Sequence, residues 1–364
     1  MTDISDHDQP SSERIRVLLE GARQNGAFPG AVLLWGVASG QYSFLCSGVL
    51  RKDIPGAPVT EKTLFDLASL TKPLVTATLS LLATQEGLIS PSTPLEELMS
   101  LPGRHFLARQ PFSRLLSHSS GLLSWAPLYR EIPPDNPALF REILEQKILD
   151  LPPDYTPGTT ARYSDFGYIL AGRIIERIYG NRSLASLFKE KVTEPLQILN
   201  TGFIETGEAS PLRMQSIAST EMIEGAGIPF TGIVHDEHAR YMGGVSGHAG
   251  LFGSALSVWN LVLPWMGKGT FFDPAILADF RRKQPEISWT CGWDTPTGDS
   301  QSGHLFSEKA IGHLGYTGTS IWMEPGNGRI IILLTNRVHP SRTQNLLKIW
   351  RPRIHDAVME CGFD

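Results

Sequence analysis

Apolar residues Ile15, Leu18, Leu19 and Ala22 recur at three- and four-residue steps, which predicts a helix from Ser12 to about Asn25. Pro29-Gly30 breaks that pattern. The apolar, partly β-branched run Ala31-Val32-Leu33-Leu34-Trp35 then predicts a strand, and Tyr42 to Val49 a second, with Ser39-Gly40-Gln41 as the turn between them. The other end of the chain repeats this arrangement in mirror order. Thr319 to Met323 and Arg329 to Thr335 read as strands joined by Glu324-Pro325-Gly326-Asn327-Gly328, where Asn-Gly accommodates the positive φ of a tight turn. A last helix is expected over about Arg342 to Glu360, kinked or split at Pro352.

Between these ends, from about Ser69 to Trp289, helical segments alternate with proline-rich loops such as Glu131-Ile132-Pro133-Pro134-Asp135. The expected fold class is α/β in the α+β sense: one antiparallel sheet built from both chain ends, flanked by helices, with a mostly helical region inserted. The corresponding division is residues 1–68 with 290–364 for the sheet and 69–289 for the helical region, with an active site between them.

Composition narrows the functional classes. The 364 residues are 41% hydrophobic and 19% charged, enough to bury a sizeable core, and the formal net charge is −5. That mild acidity, without a long Lys/Arg block, argues against a nucleic-acid binder. The three cysteines, Cys46, Cys291 and Cys361, form no framework or metal-knuckle spacing and are expected to be buried, reduced thiols. No run of about 18 apolar residues predicts a membrane span. The polar start MTDISDHDQPSSER lacks the order of a signal peptide, so a cytoplasmic location is expected.

Three short motifs could carry chemistry. In Ser69-Leu70-Thr71-Lys72, followed by the apolar Leu74, Val75, Ala77, Leu79, Leu81 and Leu82, the serine starts a helix and the three-residue step returns Lys72 to its face. The amine is then placed to take the hydroxyl proton, and the helix start favours developing negative charge. Pro73 costs little in a first turn. In Tyr163-Ser164-Asp165, ahead of the helical face Tyr168, Ile169, Leu170, Ile174 and Ile175, the phenol could shuttle a proton and Asp165 could hold the Lys72 ammonium. Gly312-His313-Leu314-Gly315-Tyr316-Thr317-Gly318 puts three glycines on a strand edge, where backbone N–H groups can face an oxyanion. Each motif also has a plain structural alternative: a helix cap at Ser69, a cap at Ser164 or Asp165 with Tyr163 in the core, and a glycine bend in the sheet.

In this order, Ser-x-x-Lys, Tyr-Ser-Asp and His-x-Gly resemble the three motifs of penicillin-recognising serine hydrolases: class C β-lactamases, DD-peptidases and related esterases. Leu116-Ser117-His118-Ser119-Ser120-Gly121-Leu122 is similar to that family's LLSHTSGL stretch, and Pro157-Gly158 through Arg162-Tyr163-Ser164-Asp165 to its PG…YSN/YSD segment. The resemblance covers roughly residues 12 to 360. It implies a β-lactamase/penicillin-binding-protein-like fold, Ser69 as acylated nucleophile, Lys72 as general base and Tyr163 as proton shuttle. It also implies an oxyanion hole from the backbone N–H groups of Ser69 and Tyr316. Asp165, His313, Gly315, Thr317 and His248 are the expected substrate-binding positions, His248 lying in the Gly232–Phe252 segment that looks like one branch of the family.

Two departures stand out. Asp165 occupies a position where many members carry Asn, which favours a charged Lys72. His313-Leu314-Gly315 stands where β-lactamases have Lys-Thr-Gly, so a cation and a hydroxyl are missing. His235, His238 and His248 lack a convincing metal-ligand spacing, and no metal or cofactor is expected. The expected partner is a small molecule or short peptide, with no nucleic acid and no membrane, and the expected activity is serine hydrolysis of an amide or ester. The alternative is a catalytically weak penicillin- or peptide-binding module.

Overall fold

The computed structural model describes residues 10–53, 56–101, 104–207, 210, 212, 216–284 and 287–363. Its main sheet has five antiparallel strands: β1 (Gly30–Val37), β2 (Tyr42–Gly48), β6 (Ile311–Leu314), β7 (Ser320–Glu324) and β8 (Arg329–Thr335), in the spatial order β2-β1-β8-β7-β6. Both chain ends therefore contribute, and β1 pairs with β8 through Ala31 opposite Thr335 and Leu33 opposite Leu333.

Alternation divides the side chains of this sheet between two cores. Leu33, Trp35, Trp322, Ile331 and Leu333 pack with Ile15, Leu19 and Ala22 of the first helix (Pro10–Gln24) and with Leu347, Ile354 and Val358 of the last (Leu347–Cys361). Val32, Leu34, Ile321, Met323, Ile330 and Ile332 face the helical middle of the chain. Covering both faces makes β1, β7 and β8 almost continuously buried.

The last helix starts five residues later than the sequence predicts, and Pro352 lies inside it. Proline removes the donor that would bond the Lys348 carbonyl four residues back, and Gln301 Nε2 takes that carbonyl at 3.1 Å instead. The middle region is not only helices and loops. It contributes β4 (Thr201–Phe203) and β5 (Leu251–Gly253) to a three-stranded sheet of order β3-β5-β4, whose β3 (Phe65–Asp66) lies just ahead of Ser69. Strand β6 forms the edge of the large sheet and abuts the turn that carries Ser69. Among the described residues no helix is long and apolar enough to cross a membrane.

Candidate active site

Strand β3 runs into a 3₁₀ turn, Ala68–Leu70, followed by a wider π-type stretch, Lys72–Ala77, and then the α-helix Thr78–Gln85. Ala68, just ahead of Ser69, has φ 48°, a left-handed value that costs an L-residue about 1–2 kcal/mol. Four hydrogen bonds hold that turn. The Ala68 N–H donates to Asp66 Oδ1 at 2.8 Å, and the Thr71 hydroxyl donates to the Ala68 carbonyl at 2.7 Å. From the third motif, the Thr317 hydroxyl donates to the Asp66 carbonyl at 2.7 Å and the Thr319 hydroxyl to the Leu67 carbonyl at 3.1 Å. Strain that the surroundings over-determine in this way persists at a defined place. Gly315 makes the seam possible, since a Cβ there would lie 2.0 Å from Thr319 Oγ1 and 2.6 Å from the Leu67 carbonyl oxygen. The Asp66 carboxyl is buried, which raises its pKa, while hydrogen bonds from the backbone N–H groups of His235 and Ala68 oppose that rise.

Lys72 is fully buried and its ammonium meets three acceptors: Ser69 Oγ at 3.0 Å, Asp165 Oδ1 at 2.7 Å and the His248 carbonyl at 3.1 Å. Burial pushes the Lys72 pKa down and the Asp165 carboxylate pulls it back up. Asp165 is the first residue of the helix Asp165–Ile178, whose positive end favours a carboxylate there. Ser164 caps that helix, accepting from the Gly167 N–H at 3.2 Å and donating to the Leu123 carbonyl at 2.7 Å.

The Tyr163 ring packs against Lys72, whose Nζ lies 4.8 Å from its centroid. Burial raises the Tyr163 pKa well above 10, the Asp165 charge adds to the rise, and the Ser69 hydroxyl opposes it. The phenol is therefore protonated at neutral pH.

His313 on β6 is 1% exposed, and its Nδ1 donates to the Leu314 carbonyl at 2.8 Å. Burial, then the Lys72 charge, pushes its pKa down to about 3, so the ring is neutral and Nε2 is left as an acceptor. That Nε2 has no partner among the described residues. The ring lies 5.5 Å from Trp289 and 6.0 Å from Tyr163 between centroids. Tyr316 is exposed and stacks on His235 at 5.8 Å, and its backbone N–H has no hydrogen-bond partner among the described residues.

Three of the expected substrate-binding positions have protein partners in this arrangement. His248 is buried, with Nε2 on Asp236 Oδ1 and Nδ1 on Ser246 Oγ, each at 2.8 Å, so its contact with the site is the carbonyl that holds Lys72. Thr317 is buried and its hydroxyl proton goes to Asp66, which makes it a tie for the serine turn. Asp165, placed in the substrate-binding set, is the ion-pair partner of Lys72. The histidines considered for metal have other surroundings: His235 Nε2 contacts Glu221 at 3.2 Å, and His238 packs among Trp125, Tyr129 and Phe166.

The sequence did not single out Asp66, Trp289 or the role of His118. Asp66 leaves a faint trace as an acidic residue three positions before Ser69, whereas Trp289 reaches the site through a long-range contact that no local pattern marks. A surface cleft of about 690 Å³ has none of these groups in its lining and meets them only through their chain neighbours. Its lining includes Thr160 and Ala161, just before Tyr163, and Ser288, next to Trp289. The arrangement thus brings a serine hydroxyl within hydrogen-bond distance of a buried amine, with a protonated phenol packed on that amine.

Known proteins resemble the chain over most of its length. The sequence matches the Beta-lactamase family over residues 15–351. A protein of Salmonella agona provisionally named D-alanyl-D-alanine carboxypeptidase is 31% identical over 314 residues, spanning 77% of this chain and 71% of that protein. One with the same provisional name from Escherichia coli O157:H7 is 30% identical over 339 residues, spanning 79% of this chain and 74% of its own. Among solved structures, an octameric penicillin-binding protein homologue from Pyrococcus abyssi superposes with TM-score 0.74 at 19% identity, over 97% of this chain and 78% of that one. A hydrolase with promiscuous acyltransferase activity gives 0.73 at 21% identity, over 96% and 98%. A simvastatin synthase variant from Aspergillus terreus gives 0.73 at 17% identity, over 98% of both chains. These structural likenesses bear on the fold, and the sequence matches on the family: the chain belongs to the beta-lactamase family of serine hydrolases.

Proposed function

We propose that the enzyme acylates itself on Ser69 with an ester or amide substrate and then releases the acyl group to water. The observation that carries this reading is the 3.0 Å contact between Lys72 Nζ and Ser69 Oγ. Neutral Lys72 takes the hydroxyl proton as Oγ forms a bond to the substrate carbonyl carbon. The oxyanion is met by the backbone N–H groups of Ser69 and Tyr316. On collapse the bond to the leaving group breaks, and the Tyr163 hydroxyl protonates the departing oxygen or nitrogen, recovering its own proton from Lys72. Water then attacks the acyl-enzyme with the same groups in reverse order, giving the acid and free Ser69. Labelling with a fluorophosphonate, followed by peptide mapping, tests the reading: one adduct on Ser69 is expected, and an adduct confined to another residue overturns it.

The substrate class follows from His313. A neutral imidazole on β6 brings no positive charge to a substrate carboxylate, which favours a small ester, and the names of the relatives support an amide within a D-amino-acid peptide or muropeptide fragment. Losing a charge-assisted contact costs about 1.5–3 kcal/mol, or one to two powers of ten. The enzyme is therefore expected to hydrolyse p-nitrophenyl esters readily and cephalosporins poorly. The double variant His313→Lys, Leu314→Thr should narrow that gap about 10- to 100-fold in kcat/KM. A wild-type enzyme that opens cephalosporins faster than it cleaves esters would show that another cation, such as Arg337 over the Tyr316 ring, holds the carboxylate.

A second reading, a penicillin- or peptide-binding module with slow turnover, is favoured by one observation. The 2.7 Å ion pair with Asp165 stabilises the charged, non-basic form of Lys72. Asp165→Asn separates the two readings. Asp165 raises the Lys72 pKa, so its removal lowers that pKa and makes the basic amine available at lower pH. The acid limb of the kcat/KM profile is expected to move to lower pH. An unmoved limb would remove Lys72 as the titrating base.

A further inference from the structure

Tyr163 lies in a loop, and the proton relay needs its hydroxyl held near Ser69. The hydrogen bonds on either side of it lead to one residue. The N–H of Arg162 donates to the His118 carbonyl at 2.8 Å, and the N–H of Ser164 donates to His118 Nδ1 at 3.0 Å. Between them, the His118 ring lies 4.5 Å from the Tyr163 ring, centroid to centroid, with an interplanar angle of 37°. Trp289 closes on the same imidazole edge-on at 4.4 Å, and Tyr168 lies 5.0 Å away. Tyr155 anchors the carbonyl from outside through its hydroxyl at 2.8 Å. The backbone of His118 is itself left-handed, φ 54°, which lets carbonyl and ring both reach the 162–164 segment.

We infer that His118 is a positioning residue for Tyr163, clamping the chain before and after it and packing on its ring. This rests on Tyr163 being the proton relay.

The chemistry explains why a histidine stands there. Nδ1 must accept from Ser164, so the ring proton sits on Nε2. Burial, and then the Lys72 charge, pushes the His118 pKa well below 6.5, which keeps the Nδ1 lone pair free at neutral pH. Nε2–H has no acceptor among the described residues, so the ring is retained for its face and for Nδ1. Phenylalanine supplies the face without the acceptor. Asparagine puts Oδ1 two bonds from Cβ, where Nδ1 stands, and also tolerates a positive φ.

The test uses the full chain and steady-state hydrolysis of p-nitrophenyl butyrate from pH 5 to 10, on wild type, Tyr163→Phe, His118→Phe, His118→Asn and the double variant His118→Phe/Tyr163→Phe. Removing the relay phenol should lower kcat about 10²- to 10⁴-fold. Displacing it in His118→Phe should lower kcat about 10- to 100-fold and leave KM within about threefold. It should also move the alkaline limb of the pH profile. His118→Asn should recover most of the loss. The double variant should be no slower than Tyr163→Phe alone, because a residue that acts only through Tyr163 has nothing further to lose.

A slow Tyr163→Phe beside a wild-type-like His118→Phe, or losses that multiply in the double variant, overturns the inference and leaves the relay standing. A Tyr163→Phe variant at the wild-type rate overturns the relay and this inference with it. Should His118→Phe not fold, ¹⁵N chemical shifts of the wild-type imidazoles decide: an Nε2–H tautomer at His118 is expected at pH 7, and an Nδ1–H tautomer overturns the clamp.

Discussion

Replacing Ser69 by alanine is expected to reduce kcat by about 10⁴-fold or more while the protein stays folded. The size of the loss follows from the proposed chemistry: without Oγ there is no covalent intermediate, and the amine and phenol have no nucleophile to serve. The small structural cost follows from the contacts. Lys72 keeps Asp165 and the His248 carbonyl, and the Ala68 turn keeps its bonds to Asp66, Thr71, Thr317 and Thr319, none of which uses the Ser69 side chain. The loss of one hydrogen bond to Lys72 corresponds to about 1 kcal/mol. Kinetics with an ester, urea unfolding and intact mass after fluorophosphonate treatment measure all three quantities. A Ser69→Ala protein that still takes up the label at the wild-type rate would remove Ser69 as nucleophile.

Much of this architecture can be read from the chain because its signals are local. The continuous apolar runs around Leu33 and Ile331 and the Asn327-Gly328 turn mark strands of the large sheet. The Ser-x-x-Lys step is a case where the conclusion survives a change in the underlying geometry. The sequence predicts a helix start there; Ser69 instead stands in the short 3₁₀ turn and Lys72 opens the π-type stretch, and the amine still reaches Oγ at 3.0 Å.

What escapes the sequence is held by distant partners. Strands β3, β4 and β5 have two or three residues each, too few for a periodicity to show. The expected start of the last helix at Arg342 fails because that residue is drawn into ion pairs with Glu221 and Glu237 across the fold. Thr317 and His248 lie within glycine-rich stretches that suggest ligand contact, but their polar atoms are committed to Asp66, Ser246 and Asp236. A motif thus marks a neighbourhood, whereas burial and partner count decide which of its side chains meets a substrate.

Lys72→Met separates the two functions of the buried amine. Methionine keeps most of the length and the apolar stem, so the space filled by the buried side chain stays filled. Catalysis loses its general base, and kcat is expected to fall about 10²- to 10⁴-fold. Folding loses more than in Ser69→Ala, because the Asp165 carboxylate and the His248 carbonyl are left without their shared donor. Breaking a fully buried pair costs about 3–5 kcal/mol; Asp165 keeps 18% of its side chain exposed, so about 2–3 kcal/mol is expected. Adding Asp165→Asn removes the stranded charge. The double variant should regain most of the stability measured by urea unfolding and none of the activity, since an amide near methionine restores no base. If it is no more stable than Lys72→Met, the ion pair is not what holds this part of the fold. If Lys72→Met cleaves esters at close to the wild-type rate, the proton from Ser69 goes elsewhere, and the Tyr163 phenol becomes the group to test as its acceptor.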